Sequence, residues 1–385
     1  MKHILIINFS SLKTDSRVRR HVNLLKQQYD LTIACLGADL QDNYTVIFLK
    51  KRELTFIRKA IISLFLFFRW FSLAHHLLHP YRYVLKKLVV EKFDLVIAND
   101  VESLPLAFAI SDQQRCHVVF DAHEYAPRHF EDKWVWRFFF QPLNVHLCKK
   151  YIHKTAAMIT IGKGLANEYE RHFHVKPVVI TNANHYHELS PSVVHNSTIR
   201  LVHHGIATPS RKLELMIEMM DDLDDRFTLD IYLLSSGFFS RKTKNYPQEL
   251  KTMASKNSRV RILPPIKSEE IVFKINEYDM GVFLIPPVNF NYENTLPNKL
   301  FDFIQARLAI AVGPTPEMAE IVNSYKLGVV SDDFTPKNLA EKLNLVTSEQ
   351  LVAYKQNSTI AAIELNAEEN KKILIKLIEK VLEGK

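Results

Sequence analysis

Short apolar runs alternate with amphipathic stretches along the whole chain. His3–Ile7, Leu31–Leu36, Thr45–Leu49, Asp94–Ala98, His117–Asp121, Ala157–Ile161 and Pro177–Thr181 each read as a strand. Asp15–Gln28 carries Val18, Val22, Leu24 and Leu25 at helical spacing. Strands that are apolar almost throughout are buried on both faces, which predicts a parallel sheet covered by helices. The alternation pauses at the polar, aperiodic segment His185–Thr198 and then restarts. Ile199–His204, Leu229–Leu234, Arg259–Leu263, Met280–Ile285, Ala309–Val312 and Gly328–Val330 are the second set of strands. Ser348–Leu382 is helical, with Ile373, Ile375, Leu377, Ile378 and Leu382 apolar among Lys and Glu. The reading is an α/β protein: a Rossmann-like domain over 1–184, a linker over 185–198, a second Rossmann-like domain over 199–347 and a terminal helical segment over 348–385. Ligands are expected beyond the carboxyl ends of the strands and in a cleft between the domains.

Composition narrows the chemistry. With 47% apolar and 24% charged residues, the chain is not a disordered tail, a collagen or a coiled-coil rod. Only 9 of 385 residues are glycine, which leaves little room for a Gly-rich phosphate loop. The one G-x-G, Gly162-Lys163-Gly164, has Asn167 where a third glycine would stand, and there is no Walker A sequence. Nicotinamide, flavin and P-loop nucleotide sites are therefore not expected. Cys35, Cys116 and Cys148 are widely spaced, giving neither a disulfide framework nor a zinc site, and they suit a reducing compartment. MKHILIINFSS reads as a first strand rather than a signal peptide. No uncharged apolar run approaches the ~20 residues that span a bilayer. A cytoplasmic protein is expected.

Several polar turns follow strands. Ser10, Ser11, Asp15 and Arg17 lie in or beside the first turn, where Asp15 also reads as a helix N-cap and Arg17 as a solvated charge. Asn99-Asp100 and His123-Glu124 follow the fourth and fifth strands, placed for a site or for capping the next helices. His204-Gly205 closes a strand of the second domain, and Arg211-Lys212 open the next helix, where the macrodipole disfavours cations unless an anion binds. Tyr292–Phe303 runs through a polar loop and Pro297 into a helix bearing Lys299 and Asp302. A cation there suits a diphosphate and a carboxylate suits ribose hydroxyls; an ordinary solvated helix start is the other reading.

Taken in order, these residues resemble a family. Asp15-Ser16-Arg17-Val18 is similar to D-x-R-V, Asp121-Ala122-His123-Glu124 to D-x-H-E, and His204-Gly205 with Arg211 to a phosphate-binding H-G…R/K turn. Leu296-Pro297-Asn298-Lys299-Leu300-Phe301-Asp302-Phe303 is similar to the donor motif L-P-x-K-L-F-E-Y. Together they resemble GT-B glycosyltransferases of family four, over nearly the whole length. The resemblance implies two Rossmann-like domains facing across a cleft and a C-terminal helix crossing back to the first domain. It implies a hexosyltransferase using a UDP or GDP sugar, retention of anomeric configuration, and no metal or other cofactor. Donor contacts would come from His204, Gly205, Arg211, Lys212, Glu293, Asn294, Leu296, Pro297, Asn298, Lys299 and Asp302. His123, Glu124, Asp15 and Asp100 would serve catalysis, and Arg17, Ser10 and Ser11 the acceptor side. The chain departs from the family at Asp302, usually Glu, and at Glu293, one position off the E-x7-E spacing, with Asn294 in register. Ile206 stands at a frequent Arg, and Arg307 and Ala309 replace a glycine and a proline. The one D-x-D, Asp222-Leu223-Asp224, precedes a strand, the wrong end of a sheet for a ligand.

The net charge of +8 is uneven. Lys51, Arg52, Arg58, Lys59, Arg69, Arg82, Lys86 and Lys87 face only Glu53 between 51 and 90. That stretch and 130–140 hold all three tryptophans and a run of phenylalanines. Basic and aromatic residues flanking an apolar helix suit an anionic membrane surface, and buried helices of the first domain are the alternative. The apolar run is too continuous for a nucleic-acid groove, so no nucleic-acid partner is expected. The expected function is sugar transfer to a glycan or lipid-linked acceptor at the inner face of the cell membrane, for cell-surface glycan synthesis. A nucleotide-sugar epimerase of the same fold and a non-catalytic membrane-surface module are the alternatives.

Overall fold

The computed structural model describes residues 1–38, 44–50, 53–195, 197–235 and 241–384. Lys51 and Arg52 of the basic stretch lie outside them. The chain forms two compact units. The first is Met1–Thr181 with Asn289–Asn291 and Asn370–Lys385, and the second is Asn182–Val288 with Tyr292–Glu369.

The first unit holds β1 (His3–Ile7), β2 (Asp30–Cys35), β3 (Thr45–Phe48), β4 (Leu95–Asn99), β5 (His117–Ala122), β6 (Ala157–Thr160) and β7 (Val178–Val179). They form one parallel sheet in the order β3-β2-β1-β4-β5-β6-β7. Leu5 and Ile7 pack into one apolar layer and Ile4 and Ile6 into the other, which is why the strand is apolar throughout. The helix Ala367–Leu382 contributes Leu374, Ile378 and Val381 to the second of these layers.

The second unit holds β8 (Ile199–Ala207), β9 (Phe227–Ser235), β10 (Val260–Leu263), β11 (Met280–Phe283), β12 (Ala309–Val312) and β13 (Gly328–Val330), parallel in the order β10-β9-β8-β11-β12-β13. In both sheets the winding reverses, between β1 and β4 and between β8 and β11. The crevice beyond the carboxyl ends at such a switch point is where open α/β sheets hold ligands. The helix Asn298–Gln305 lies against β11 because Gly281 has no side chain: a Cβ there would meet the Phe303 ring at 2.3 Å.

Two boundaries differ from those read in the sequence. Residues 185–195 do not form a free linker but run as coil on the second unit. There His185 Nδ1 lies 2.8 Å from Glu368, and Lys355 Nζ donates to Ser192 Oγ at 2.8 Å. The terminal helical stretch is two helices, Ser348–Glu364 and Ala367–Leu382, and the first belongs wholly to the second unit. The break falls where Asn366 Oδ1 accepts the Glu369 N–H at 2.8 Å, starting a new helix.

Candidate active site

In the second unit, β8 brings His203, His204 and Gly205 to the switch point. His203 Nδ1 lies 2.9 Å from the Val282 carbonyl, a contact only an N–H satisfies. Its Nε2 is therefore the accepting nitrogen, and Lys299 Nζ donates to it at 3.1 Å. Lys299 also sits 3.8 Å from the centroid of Phe283. Gly205 has φ +143, and a Cβ on it would lie 3.1 Å from Lys299 Nζ and 3.5 Å from an Arg211 nitrogen. Glycine is required there by the backbone and by the approach of two cations. Burial first, then Arg211, hold the Lys299 amine well below the ordinary lysine value, while Asp302 pulls the other way. Burial, Lys299 and Arg211 likewise push His204 down to about 3. The buried amine thus has an imidazole and a ring for neighbours and a guanidinium beside it. The recess holds one guanidinium and an amine that an arriving anion would draw into its protonated form, which suits it to an anion.

Asp302, one turn along the same helix, completes the cluster. Its Oδ1 accepts from Asn184 Nδ2 at 3.1 Å, and its Oδ2 lies 3.4 Å from His204 Nε2. Ser210 and Tyr292 share a hydroxyl hydrogen bond of 2.8 Å, which ties the Arg211 turn to the loop leading into Lys299. Leu296 is buried and its carbonyl accepts from Asn182; Pro297 precedes the helix without a side-chain cap, and Asn298 is exposed on its first turn. The buried residue of the preceding turn is Asn294, whereas Glu293 is exposed. Lys212 points away, exposed, with its amine 3.6 Å from Glu214. Asp224 is paired with Arg226 at the amino end of β9, away from this cluster.

In the first unit the centre is Asp121, near the end of β5 and fully buried. Arg17 donates to it through Nε and through Nη2, the latter at 2.7 Å, and through Nη1 to the Ile180 carbonyl at 2.7 Å. His21 Nδ1 lies 3.1 Å from Asp121. Arg17, expected on the acceptor side, is therefore a buried partner of Asp121 near the carboxyl end of β5, neither a solvated charge nor an exposed contact. Asp15 is the N-cap of the first helix, accepting the Val18 N–H at 3.1 Å and the Ser10 hydroxyl at 2.8 Å. Ser11 donates to the Gly37 carbonyl at 3.2 Å. These three lock the first turn.

His123 lies between two carboxylates. Its Nδ1 is 3.4 Å from Asp100 and its Nε2 is 3.7 Å from Asp121. Its backbone N–H donates to Asp100 at 3.2 Å. Burial would lower its pKa, but Asp100 and Asp121 outweigh burial and raise it to about 9. Burial pushes Asp100 up, and burial with Asp100 pushes Glu102 up to about 7. Glu124 is paired with His129 at 2.7 Å. Asp100 itself has φ 58, a left-handed backbone that turns its carboxylate onto His123.

No protein-family model matches the chain, and no curated protein sequence does. Solved structures do. HepE of Anabaena in complex with UDP-glucose matches with a TM-score of 0.73 and 12% identity, over 99% of this chain and 100% of that one. Sucrose-phosphate synthase from Thermosynechococcus elongatus matches with a TM-score of 0.74 and 12% identity over 100% of each chain. An α,α-trehalose-phosphate synthase (UDP-forming) from Burkholderia vietnamiensis matches with a TM-score of 0.67 and 10% identity, over 98% of this chain and 100% of that one. The chain has the GT-B fold. The GT-B resemblance read from ordered motifs thus meets an independent likeness in three dimensions.

Within this GT-B chain, sequence reasoning named Lys299, Arg211, Gly205, His204 and Asp302, which the second unit brings together. It passed over His203, Asn184 and His21, and quoted Asp121 only as part of a motif. His203 had a usable signal, a histidine inside an otherwise apolar strand. Asn184 had none, because it lies 118 residues from Asp302.

Proposed function

We propose that this chain is a glycosyltransferase that moves a sugar from a nucleotide diphosphate sugar, of UDP or GDP type, to a glycan or lipid-linked acceptor at the cytoplasmic membrane surface, in cell-surface glycan synthesis. The observation that carries the reading is Lys299, a buried amine with its pKa depressed at the switch point of a GT-B sheet, beside Arg211 and above a glycine. An anionic diphosphate supplies the charge this recess lacks, and Lys299 and Arg211 then stabilise it as it leaves. Asp302, held by Asn184, accepts the ribose hydroxyls, and Asn294 rather than Glu293 is the residue buried near the sugar. HepE with UDP-glucose and the UDP-forming synthase favour UDP among the donors. The diphosphate charge is met by the two cations, so the reading assigns no step to a metal. A panel of UDP-, GDP- and ADP-sugars tests it. One donor should be turned over or should raise the melting temperature, and silence across the panel would sink the proposal.

His123 bears on stereochemistry. A histidine held charged to about pH 9 donates hydrogen bonds and cannot serve as a base at neutral pH. Glu124 is engaged with His129. Both facts favour retention over an inverting mechanism with either group as general base. The sign follows from the raised value: the donor form is full at pH 7 and is lost as pH rises through about 9. Transfer rate at saturating donor, measured from pH 6 to 10, should be flat and then fall near 9. A rate that rises with deprotonation would instead mark His123 as a base.

A further inference from the structure

The helix Phe56–Phe67 is apolar on two opposite faces, with Arg58 and Lys59 between them. Ile62 and Leu66 are buried in the core of the first unit, yet the opposite face is just as hydrophobic. Phe56 is 86% exposed and Phe67 57%, with Ile57, Ile61 and Leu64 exposed on the same helix. An amphipathic surface helix would place charges there. The helices Phe71–Leu78 and Trp134–Tyr151 pack beside it and extend the surface. Trp134 is 70% exposed, Trp70 and Phe138 about half. Phe67 and Phe138 touch across the two helices, with ring centroids 6.2 Å apart. Isolated exposed apolar residues are ordinary, but a contiguous aromatic surface marks an interaction site.

Charge identifies the occupant. These three helices and the neighbouring Arg82–Leu88 contain eight Lys or Arg and no Asp or Glu. Arg69, exposed between the first two helices, adds to the same sign, whereas Lys133, over the Phe130 ring at 4.5 Å, is offset by the adjacent Glu131 and Asp132. An apolar partner protein or a second copy of the chain would gain nothing from so one-sided a rim, whereas an anionic bilayer meets both parts at once. No described helix is long and apolar enough to cross a membrane. Arg69, with φ 61, breaks the run into two short helices that lie side by side. The aromatic surface also reaches the polar cluster. Phe130 stacks on His129 at 4.0 Å, and His129 is the partner of Glu124.

We propose that this face of the first unit docks on an anionic lipid bilayer, inserting Phe56, Phe67, Trp70, Trp134 and Phe138 between head groups with the basic rim around them. Docking brings the edge that carries His129 and Glu124 to the lipid surface, so an acceptor anchored in that bilayer is taken directly from it. The acceptor clause rests on the transferase reading above; the docking does not.

The chain's three tryptophans are Trp70, Trp134 and Trp136, so native fluorescence reports on this face alone. With vesicles of phosphatidylglycerol and phosphatidylcholine, emission should shift to the blue, and bromine on the lipid acyl chains should quench it. Pure phosphatidylcholine should bind about tenfold more weakly or less. Replacing Phe67→Glu together with Phe138→Glu, both solvent-exposed, should weaken vesicle binding about tenfold or more. Circular dichroism and the thermal shift with UDP-glucose should be unchanged. Absence of quenching, equal binding to neutral vesicles, or a dimer that hides the tryptophans would each overturn the proposal. Vesicle binding with no response to any nucleotide sugar would remove the transferase reading and leave the docking.

Discussion

Replacing Lys299→Met should abolish transfer and at the same time make the ligand-free protein more stable. The two effects share one cause. A buried amine without a carboxylate partner is held at a desolvation penalty, and its depressed pKa records that penalty. Methionine fills a similar volume beside Phe283 and removes the penalty, so the melting temperature of the free protein should rise, by the equivalent of about 1–4 kcal/mol. Transition-state stabilisation of the leaving diphosphate should fall about 10²–10³-fold. Binding is linked to protons as well. A diphosphate raises the Lys299 pKa, so binding draws a proton to the site and affinity declines as pH rises. Calorimetry in two buffers of different ionisation enthalpy would show that uptake in the wild type and not in the variant. A variant less stable than the wild type, with nucleotide affinity intact, would mean that Lys299 is a structural residue and not the anion's partner.

The strands were legible because burial on both faces leaves a nearly unbroken apolar run, as in Leu95–Asn99 and Ala309–Val312. The ordered motifs placed Lys299, His204 and Asp302, since short spacings survive in a sequence. Other features depend on pairings over long separations, which no local pattern records. Arg17 meets Asp121 across 104 residues, so it reads as a surface charge until the sheet is assembled. The polar 185–198 segment looks like a linker because coil on a surface has a linker's composition. Its bonds to Glu368, Gln305, Arg307 and Lys355 show that it belongs to the second unit. Arg307 is a subtler case. It occupies the left-handed position, φ 60, that ends the helix Asn298–Gln305, where glycine is the easy choice. Its guanidinium turns back to the carbonyl of Gln305 at 2.7 Å and reaches that of His187 at 2.6 Å. The strain of the backbone is offset by capping that glycine cannot provide, so a departure from the family pattern is a consistent local solution.

Replacing Asp121→Asn should be among the most destabilising single changes in the first unit, about 3–5 kcal/mol, read by urea denaturation at pH 7. Asp121 is 0% exposed and Arg17 5%, so the guanidinium would be left buried against a neutral amide. His21 and His123 would lose the same carboxylate. The pH dependence separates this ion pair from a packing defect. Burial opposes the charge on Asp121, but Arg17 and the two histidines outweigh it and hold the pKa well below the ordinary 3.8. A depressed carboxyl pKa stabilises the fold above the unfolded value and loses that stabilisation as pH falls toward the folded one. The difference between wild type and variant should therefore shrink below about pH 4, and shrink again as pH rises from about 6.5 to 9, where the wild type loses the stabilisation of its charged His123. Taking the difference matters, because Glu102, raised to about 7, protonates in both proteins and tilts both curves the other way between its unfolded value and 7. Adding Arg17→Met to the variant should recover part of the loss, since the orphaned cation is then gone. A deficit that persists unchanged into acid, or that the second substitution deepens, would assign the loss to packing and not to the buried pair. His123 gives the same substitution a functional side. With one of its two carboxylates removed, its pKa should drop from about 9, and the fall in transfer rate should move to lower pH with it.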